Sequence, residues 1–553
     1  MDQEIKKLII EALANLNLPV PEKFSVELTE NLEHGDFASN VAMILAKEVK
    51  QSPLELAQKI SKEIVRPDWL AKVEAVAPGF INFYLAESFL KQELENINKN
   101  IAPKSSAQKA LVEYTDPNPF KEFHIGHLMS NTIGEALSRL IEWNGAEVKR
   151  ANYQGDVGLH VAKALWGKLK NPELAWGKAY AVGAQAYEVQ ETAKQEIIEI
   201  NKKVYEKSDP EINKLYEEGK KESLVAFESM YAQLGTKFDF YFFESEMADP
   251  GKKIVEEYLA NDVFEQSDGA IVFVAEKYNP ELHTRVYLTS QGLPTYETKE
   301  LGLHFAKNRA YPADLSVVIT ANEQAGVFAV GLEALKQIDA SLATKVKHIT
   351  HGLMLGPDGR KMSSRTGEVI SAESLLDELK KVTLARLAVR DFDEGEKLAI
   401  AHAVAVGALK YLILKQSPGK DIIFNLERAL SLEGDSGPYL QYALVRARAV
   451  LERAKQEGVS ASLENRPDDT ETLERLLHRF VAVATRASER YAPNLLVTYL
   501  TELASTFNAY YAGQKIIDPT DPHSSYRLAL TAAVAQTLTT GLTLLAIPTP
   551  ERM

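Results

Sequence analysis

The chain of 553 residues has no cysteine, which excludes a thiolate nucleophile, a disulfide framework and a thiolate-ligated zinc or iron-sulfur site. Long apolar runs are missing too. The nearest, 528–547, is interrupted by Thr, Gln and Gly, and none reaches the 18 or more residues of a membrane span. The first twenty residues carry too much charge for a secretory signal, so a cytoplasmic protein without membrane contact is expected. An excess of positive charge is also absent: 63 Lys and Arg against 77 Asp and Glu leave a net −14. That balance argues against non-specific coating of nucleic acid, but leaves open a local basic face that reads one shaped polyanion.

What is present is an ordinary globular composition, 45% hydrophobic and 25% charged, over a length that calls for two to four domains. No internal repeat is visible. Residues 1–105 alternate helical patterns with short strands and end in the alternating run Gly79-Phe80-Ile81-Asn82-Phe83-Tyr84-Leu85, which reads as a small α+β domain. A polar linker around Pro103 leads to a strand at 110–114, a helix at about 126–143 and a strand at 147–153. This βαβ unit implies a parallel sheet. The mixed-charge stretch 179–234 reads as an exposed helical hairpin, and 238–288 as a β-rich piece. Strands return near 317–319 and 348–355, and helical periodicity dominates from about 399. The expected fold is multidomain α/β. A Rossmann-like parallel-sheet domain at 106–390, with an insertion at about 165–290, lies between the α+β domain and a helical bundle at 391–553.

Two short segments carry chemistry. His124-Ile125-Gly126-His127 follows a strand and opens a helix, where free N–H groups and the positive end of the macrodipole receive phosphate. Two histidines three apart share a helical face and can donate to phosphate oxygens, while Gly126 lets a flat group such as adenine lie against the backbone. The plainer alternative is a pair of structural histidines at a helix start. Leu355-Gly356-Pro357-Asp358-Gly359-Arg360-Lys361-Met362-Ser363-Ser364-Arg365-Thr366-Gly367 is a Gly-bounded loop with three cations and hydroxyls, suited to closing over a polyphosphate. Taken alone, such a basic Gly/Ser loop is more often a solvated turn.

In this order on a parallel sheet, the two segments resemble the paired signatures of class I aminoacyl-tRNA synthetases. More narrowly, Glu113-Tyr114-Thr115-Asp116-Pro117-Asn118, running on to Lys121 and His124, is similar to the entry strand of arginyl-tRNA synthetases. Asn152-Tyr153-Gln154-Gly155-Asp156-Val157-Gly158, Gly35-Asp36-Phe37-Ala38-Ser39-Asn40 and Gly437-Pro438-Tyr439-Leu440-Gln441-Tyr442-Ala443 match other stretches of that family. The resemblance implies a tRNA-binding N-terminal domain and an anticodon-binding helical domain. It also implies a reaction that joins arginine to the 3′-terminal adenosine of tRNA(Arg) through an adenylate, using ATP with its Mg2+ and no dedicated protein metal site.

By the same resemblance, His124, His127, Lys361 and Lys121 are the catalytic candidates. Gly126, Met362, Ser363 and Ser364 join the two histidines and Lys361 around ATP, and Glu113, Asn118, Tyr296 and Glu300 receive L-arginine. Two departures stand out: Lys299-Glu300 replaces the family's Arg-Asp, and Ser364 replaces the second lysine of the signature loop. For tRNA, Arg446, Arg448, Arg453 and Lys455 are expected as a phosphate-facing stripe beside Tyr439, Gln441 and Tyr442. A monomer is expected. The rivals are a cysteinyl synthetase, whose zinc-binding cysteines are lacking here, a small-molecule nucleotidyltransferase and a non-catalytic tRNA-binding paralogue.

Overall fold

A computed structural model of the chain describes residues 1–99, 101, 106–360, 362 and 371–553. They form two compact units, Met1–Ala102 with Tyr442–Val483 and Tyr499–Gly541, and Pro103–Gln441 with Ala484–Thr498 and Leu542–Met553.

In the first unit an antiparallel sheet orders its strands Val26–Leu28, Phe37–Ser39, Phe80–Leu85, Leu70–Val76, and the inward faces of helices Asp2–Asn15, Val41–Val49 and Pro53–Glu63 cover one side. Asp36 is buried, accepting from Leu85 N–H (2.8 Å) and from Arg475 Nε (2.7 Å). Its partners explain why a carboxylate is tolerated there: both of its oxygens are satisfied.

The second unit is built on five parallel strands. Numbered along the chain, Lys109–Glu113, Glu147–Gln154, Phe240–Phe243, Leu315–Ala321 and Val346–His351 lie in the order 3-2-1-4-5. This is the doubly wound arrangement, with the strand order reversing beside the first strand. Ligands of such sheets sit at the carboxyl ends of the strands on either side of that point. The Rossmann-like expectation is met.

Helix Ile125–Trp143 packs against the first strand through Gly134, where any Cβ would overlap the Tyr114 ring. A buried charge network fixes it laterally. Glu135 accepts from Tyr114 Oη (2.6 Å), Arg139 Nε (2.7 Å) and Arg150 Nε (3.0 Å).

The charged stretch differs from an exposed hairpin. Helices Leu159–Lys170, Trp176–Val189, Glu191–Glu206 and Pro210–Leu234 enclose a core of their own. Ala193, Ile197, Ile200 and Val204 recur at helical spacing and face inward, which leaves the charged residues outside. Gly167 and Gly183 let the first two helices approach at backbone distance. The β-rich reading of 238–288 was half right, since helix Glu244–Leu259 separates the strand Phe240–Phe243 from a three-stranded antiparallel sheet.

The most apolar long helix is Glu394–Leu414 rather than 528–547. By length and composition it could cross a membrane, yet 72% of its apolar window is buried inside the protein. It shares one core with Ile125, Leu128 and Met129 of the helix that carries the histidines.

Replacing Gly134 by Ala should lower stability by about 1–3 kcal/mol, because the added methyl has only the Tyr114 ring to move. Urea unfolding of the purified variant checks this, and an unchanged midpoint would contradict the close packing.

Candidate active site

The two central strands part at a serine. Thr115 N–H donates to Ser130 Oγ (2.9 Å), and that hydroxyl donates to the carbonyl of Ile319 (3.2 Å), which links the ends of the first and fourth strands through the helix between them. Thr115 and Asp116 then turn away with φ of 80° and 47°, a conformation that non-glycine residues adopt only when their surroundings hold it. Asn131 Nδ2 donating to Thr115 Oγ1 (3.0 Å) and Tyr153 N–H donating to Asp116 Oδ1 (2.8 Å) supply that hold. The resulting cleft has a volume of about 280 Å³ at the carboxyl edge of the sheet.

One wall is acidic. Glu113, 2% exposed, pairs with Lys307 Nζ at 2.6 Å. Asp116 and Glu300 face the same space, and burial together with the Glu113 charge raises both, Glu300 to about 8. Glu300 Oε2 is buried with no hydrogen-bond partner. Tyr296 stands one helical turn before it and is 38% exposed. Glu244 lines the cleft too and pairs with Lys299 Nζ at 2.5 Å, so Asp116 and Glu300 are the carboxylates left over, an imbalance that a cationic ligand would relieve.

At the helix N-terminus the two histidines cap each other. His127 Nδ1 accepts from His124 N–H (3.2 Å), and His124 Nδ1 accepts from His127 N–H (3.4 Å), with the rings stacked 3.5 Å apart. A backbone N–H can only donate, so a neutral ring in either position carries its proton on Nε2. Burial, then the nearby His124 and Lys121, holds His127 well below the usual histidine range, so it is an N–H donor rather than a cation. Gly126 makes room for this stack: a Cβ there would lie 2.9 Å from His124 Cε1. Gly126 also lines the cleft.

Asn118 lines the cleft against Gly155, where a side chain would overlap its Oδ1. Lys121 is not among the lining residues; its ammonium lies 5.0 Å over the Tyr180 ring. Lys361, Ser363 and Ser364 fall outside the described residues. Met362 is half-buried against the core that includes Phe123 and Leu128.

The chain matches the family model "tRNA synthetases class I (R), catalytic domain" over residues 90–426. The arginine–tRNA ligase of Streptococcus mutans is 32% identical over 533 residues, 92% of each chain. The chain belongs to the arginyl-tRNA synthetases. Two further models of the family match, the arginyl-tRNA synthetase N-terminal domain over 3–85 and the DALR anticodon-binding domain over 440–553. The Shewanella loihica arginine–tRNA ligase is 30% identical with both chains covered fully. The Thermus thermophilus arginyl-tRNA synthetase superposes over 100% of both chains with TM-score 0.84 at 26% identity. That of Plasmodium falciparum, at 19% identity, shares the fold with TM-score 0.82, over 100% of this chain and 99% of its own. As a member of this family the chain uses ATP and binds arginine and tRNA.

In this synthetase the residues expected to meet tRNA sit in different settings. Gln441 is 0% exposed, and its amide is spent on the carbonyls of Ala403 (2.9 Å) and Pro548 (2.8 Å). Arg446 is sandwiched between the Tyr442 and Tyr511 rings, 4.8 and 4.9 Å from their centroids, and donates to Asn508. Arg448 donates to Thr539 Oγ1 (3.1 Å). Two residues apart on one helix point to different faces, so Arg446 and Arg448 cannot form a single stripe. Tyr439 is half-buried in the first turn of helix Gly437–Gln456.

Asp116 and Lys307 were missed, although a signal existed for the second. Tyr296, Glu300 and Lys307 follow i, i+4, i+11, one face of one helix.

Replacing Lys307 by Met leaves Glu113 buried without its cation and should cost about 3–5 kcal/mol, and adding Glu113→Gln should recover part of the loss. Thermal unfolding of the three variants reads this coupling; additive losses would show that the pair does not interact.

Proposed function

We propose that this chain is an arginine–tRNA ligase that activates arginine with ATP in the cleft and passes it to the terminal ribose of tRNA(Arg), activation requiring bound tRNA. The observation that carries the arginine assignment is the acidic wall, where Glu113, Asp116 and Glu300 face one buried ammonium. A guanidinium meets a carboxylate through two parallel N–H bonds, and Glu300, whose Oε2 is unpartnered, is the carboxylate assigned to it.

The arginine carboxylate forms a bond to the α-phosphorus of ATP as the bond to pyrophosphate breaks. His124 and His127, as Nε2–H donors, stabilise the negative charge that grows on the phosphate oxygens. Lys361 is assigned to the departing pyrophosphate, and the magnesium ion travels with ATP as part of the substrate. A ribose hydroxyl of the tRNA then attacks the acyl carbon and AMP leaves. No protein nucleophile takes part. The core shared by helix Glu394–Leu414 and the histidine helix supports the tRNA requirement, because a load on the former reaches the latter through direct packing.

Exchange of pyrophosphate into ATP, screened over the twenty amino acids with and without tRNA, tests the reading. Arginine with tRNA should be the active combination, and vigorous exchange without tRNA would refute the coupling.

His124→Ala and His127→Ala should each lower exchange by about 10²-fold. The stability loss from the missing cap at His124 should stay near 1 kcal/mol. A double variant as fast as the parent would end this assignment.

Glu300 sets a pH dependence. Raised to about 8 in the empty site, it is mostly protonated at neutral pH and must ionise to meet a guanidinium. Arginine binding should release a proton and tighten as pH rises toward 8, then level off. Glu300→Gln should raise KM for arginine far more than KM for ATP and flatten that profile. Equal effects on both substrates would place Glu300 elsewhere.

A further inference from the structure

The cleft is chemically divided. Its carboxylates come from the end of the first strand, the loop after it and helices Glu244–Leu259 and Tyr296–Ala310. The fourth and fifth strands bring only uncharged groups: Ile319, Thr320, Ala321 and His351. A nucleotide whose phosphates meet the histidine donors keeps clear of the acidic wall, so its nucleoside belongs on this second side.

His351 ends the fifth strand. It is 4% exposed, and its Nδ1 lies 2.8 Å from the carbonyl of Gly352. A carbonyl only accepts, so Nδ1 carries the proton, and burial keeps the ring neutral. Nε2 therefore presents a lone pair, the opposite polarity to the Nε2–H groups of His124 and His127. A cleft holding two donor histidines and one acceptor histidine distinguishes the two ends of its ligand. Phosphate oxygens, which only accept, suit the first pair, and only a group that donates suits the third.

We propose that His351 Nε2 accepts a hydrogen bond from a donor on the nucleoside of ATP and so helps to select this nucleotide. The donor that fits selection is the 6-amino group of adenine, because guanine carries a carbonyl oxygen at that position and would set two acceptors against each other. A ribose hydroxyl offers the same chemistry. The inference rests on the reading of the cleft as an ATP and arginine site.

The test compares ATP with purine riboside triphosphate, 2′-deoxyATP and 3′-deoxyATP in arginine-dependent exchange with tRNA present, in the parent, His351→Asn and His351→Gln. Asn keeps a donor toward Gly352 but removes the acceptor, whereas Gln places an oxygen near the Nε2 position. The parent should use one of the three analogues about tenfold less efficiently than ATP. His351→Asn should lose about tenfold in kcat/KM for ATP, through KM for ATP with KM for arginine unchanged, and should no longer distinguish that analogue from ATP. His351→Gln should restore the discrimination. Purine riboside triphosphate as the sensitive analogue identifies the adenine amino group, and either deoxy analogue identifies the ribose.

A parent indifferent to all three analogues overturns the proposal, as does an Asn variant that keeps the parent's ratio for each. A rise in KM for arginine equal to that for ATP would show a structural role instead. Absence of arginine-dependent exchange in the parent would sink the underlying reading, which is a different result from exchange without discrimination.

Discussion

The hydroxyl of Ser130 holds the site together. By accepting from Thr115 N–H and donating to Ile319 C=O, it spans the gap where the first and fourth strands diverge. Parallel strands on either side of a switch point lose their mutual ladder beyond their last paired residues, and their backbone groups need other partners. A side chain on the intervening helix supplies them. The helix N-terminus, the left-handed turn at Thr115 and Asp116 and the end of the fourth strand are thereby set in one frame, so donors and carboxylates face each other across the cleft.

Within that frame, charge is arranged by burial as well as by pairing. Among the described residues Glu113 pairs with Lys307 and Glu244 with Lys299, whereas Asp116 and Glu300 are held in a poorly solvated space where the ionised form is disfavoured. Such a site is unstable toward its ligand in a useful sense: a ligand bearing cationic groups relieves what the empty protein cannot. The histidines contribute by the opposite device. Each gives its Nδ1 to the other's backbone, and a group that would be an ambiguous titrating ring becomes a fixed dipole.

The helical insertion serves this geometry from outside. Phe120, fully buried, enters the insertion's core between Trp176 and Tyr216, and its N–H donates to Ser223 Oγ (2.9 Å). Asp156 accepts from Lys220 (2.7 Å), Tyr216 (3.0 Å) and Ser245 (2.7 Å), joining the loop after the second strand to the insertion and to helix Glu244–Leu259. Both loops that frame the cleft are gripped by a segment whose sequence looks like solvated surface.

Local patterns were legible because they are properties of neighbours in the chain. The strands expected at 110–114 and 147–153 and the helix at about 126–143 fall at 109–113, 147–154 and 125–143, and the His-x-Gly-His spacing placed two rings at one helix start. Family resemblance added Glu113, Asn118, Tyr296 and Glu300 as arginine candidates, and the fold brings all four to one cleft. Burial separates residues that the sequence groups together: Gln441 is buried with its amide on two carbonyls, whereas Arg446 stays half-buried between two tyrosine rings. The Glu113–Lys307 pair, 194 residues apart, and the tautomer of His351, fixed by a carbonyl at the end of the fifth strand, have no local signature. The sequence by itself determined which segments become strands and helices and which family they compose. Only the tertiary structure decided which polar groups lose their water, and with it their charge, their tautomer and their partner, because desolvation depends on everything packed around a residue and not on its neighbours in the chain.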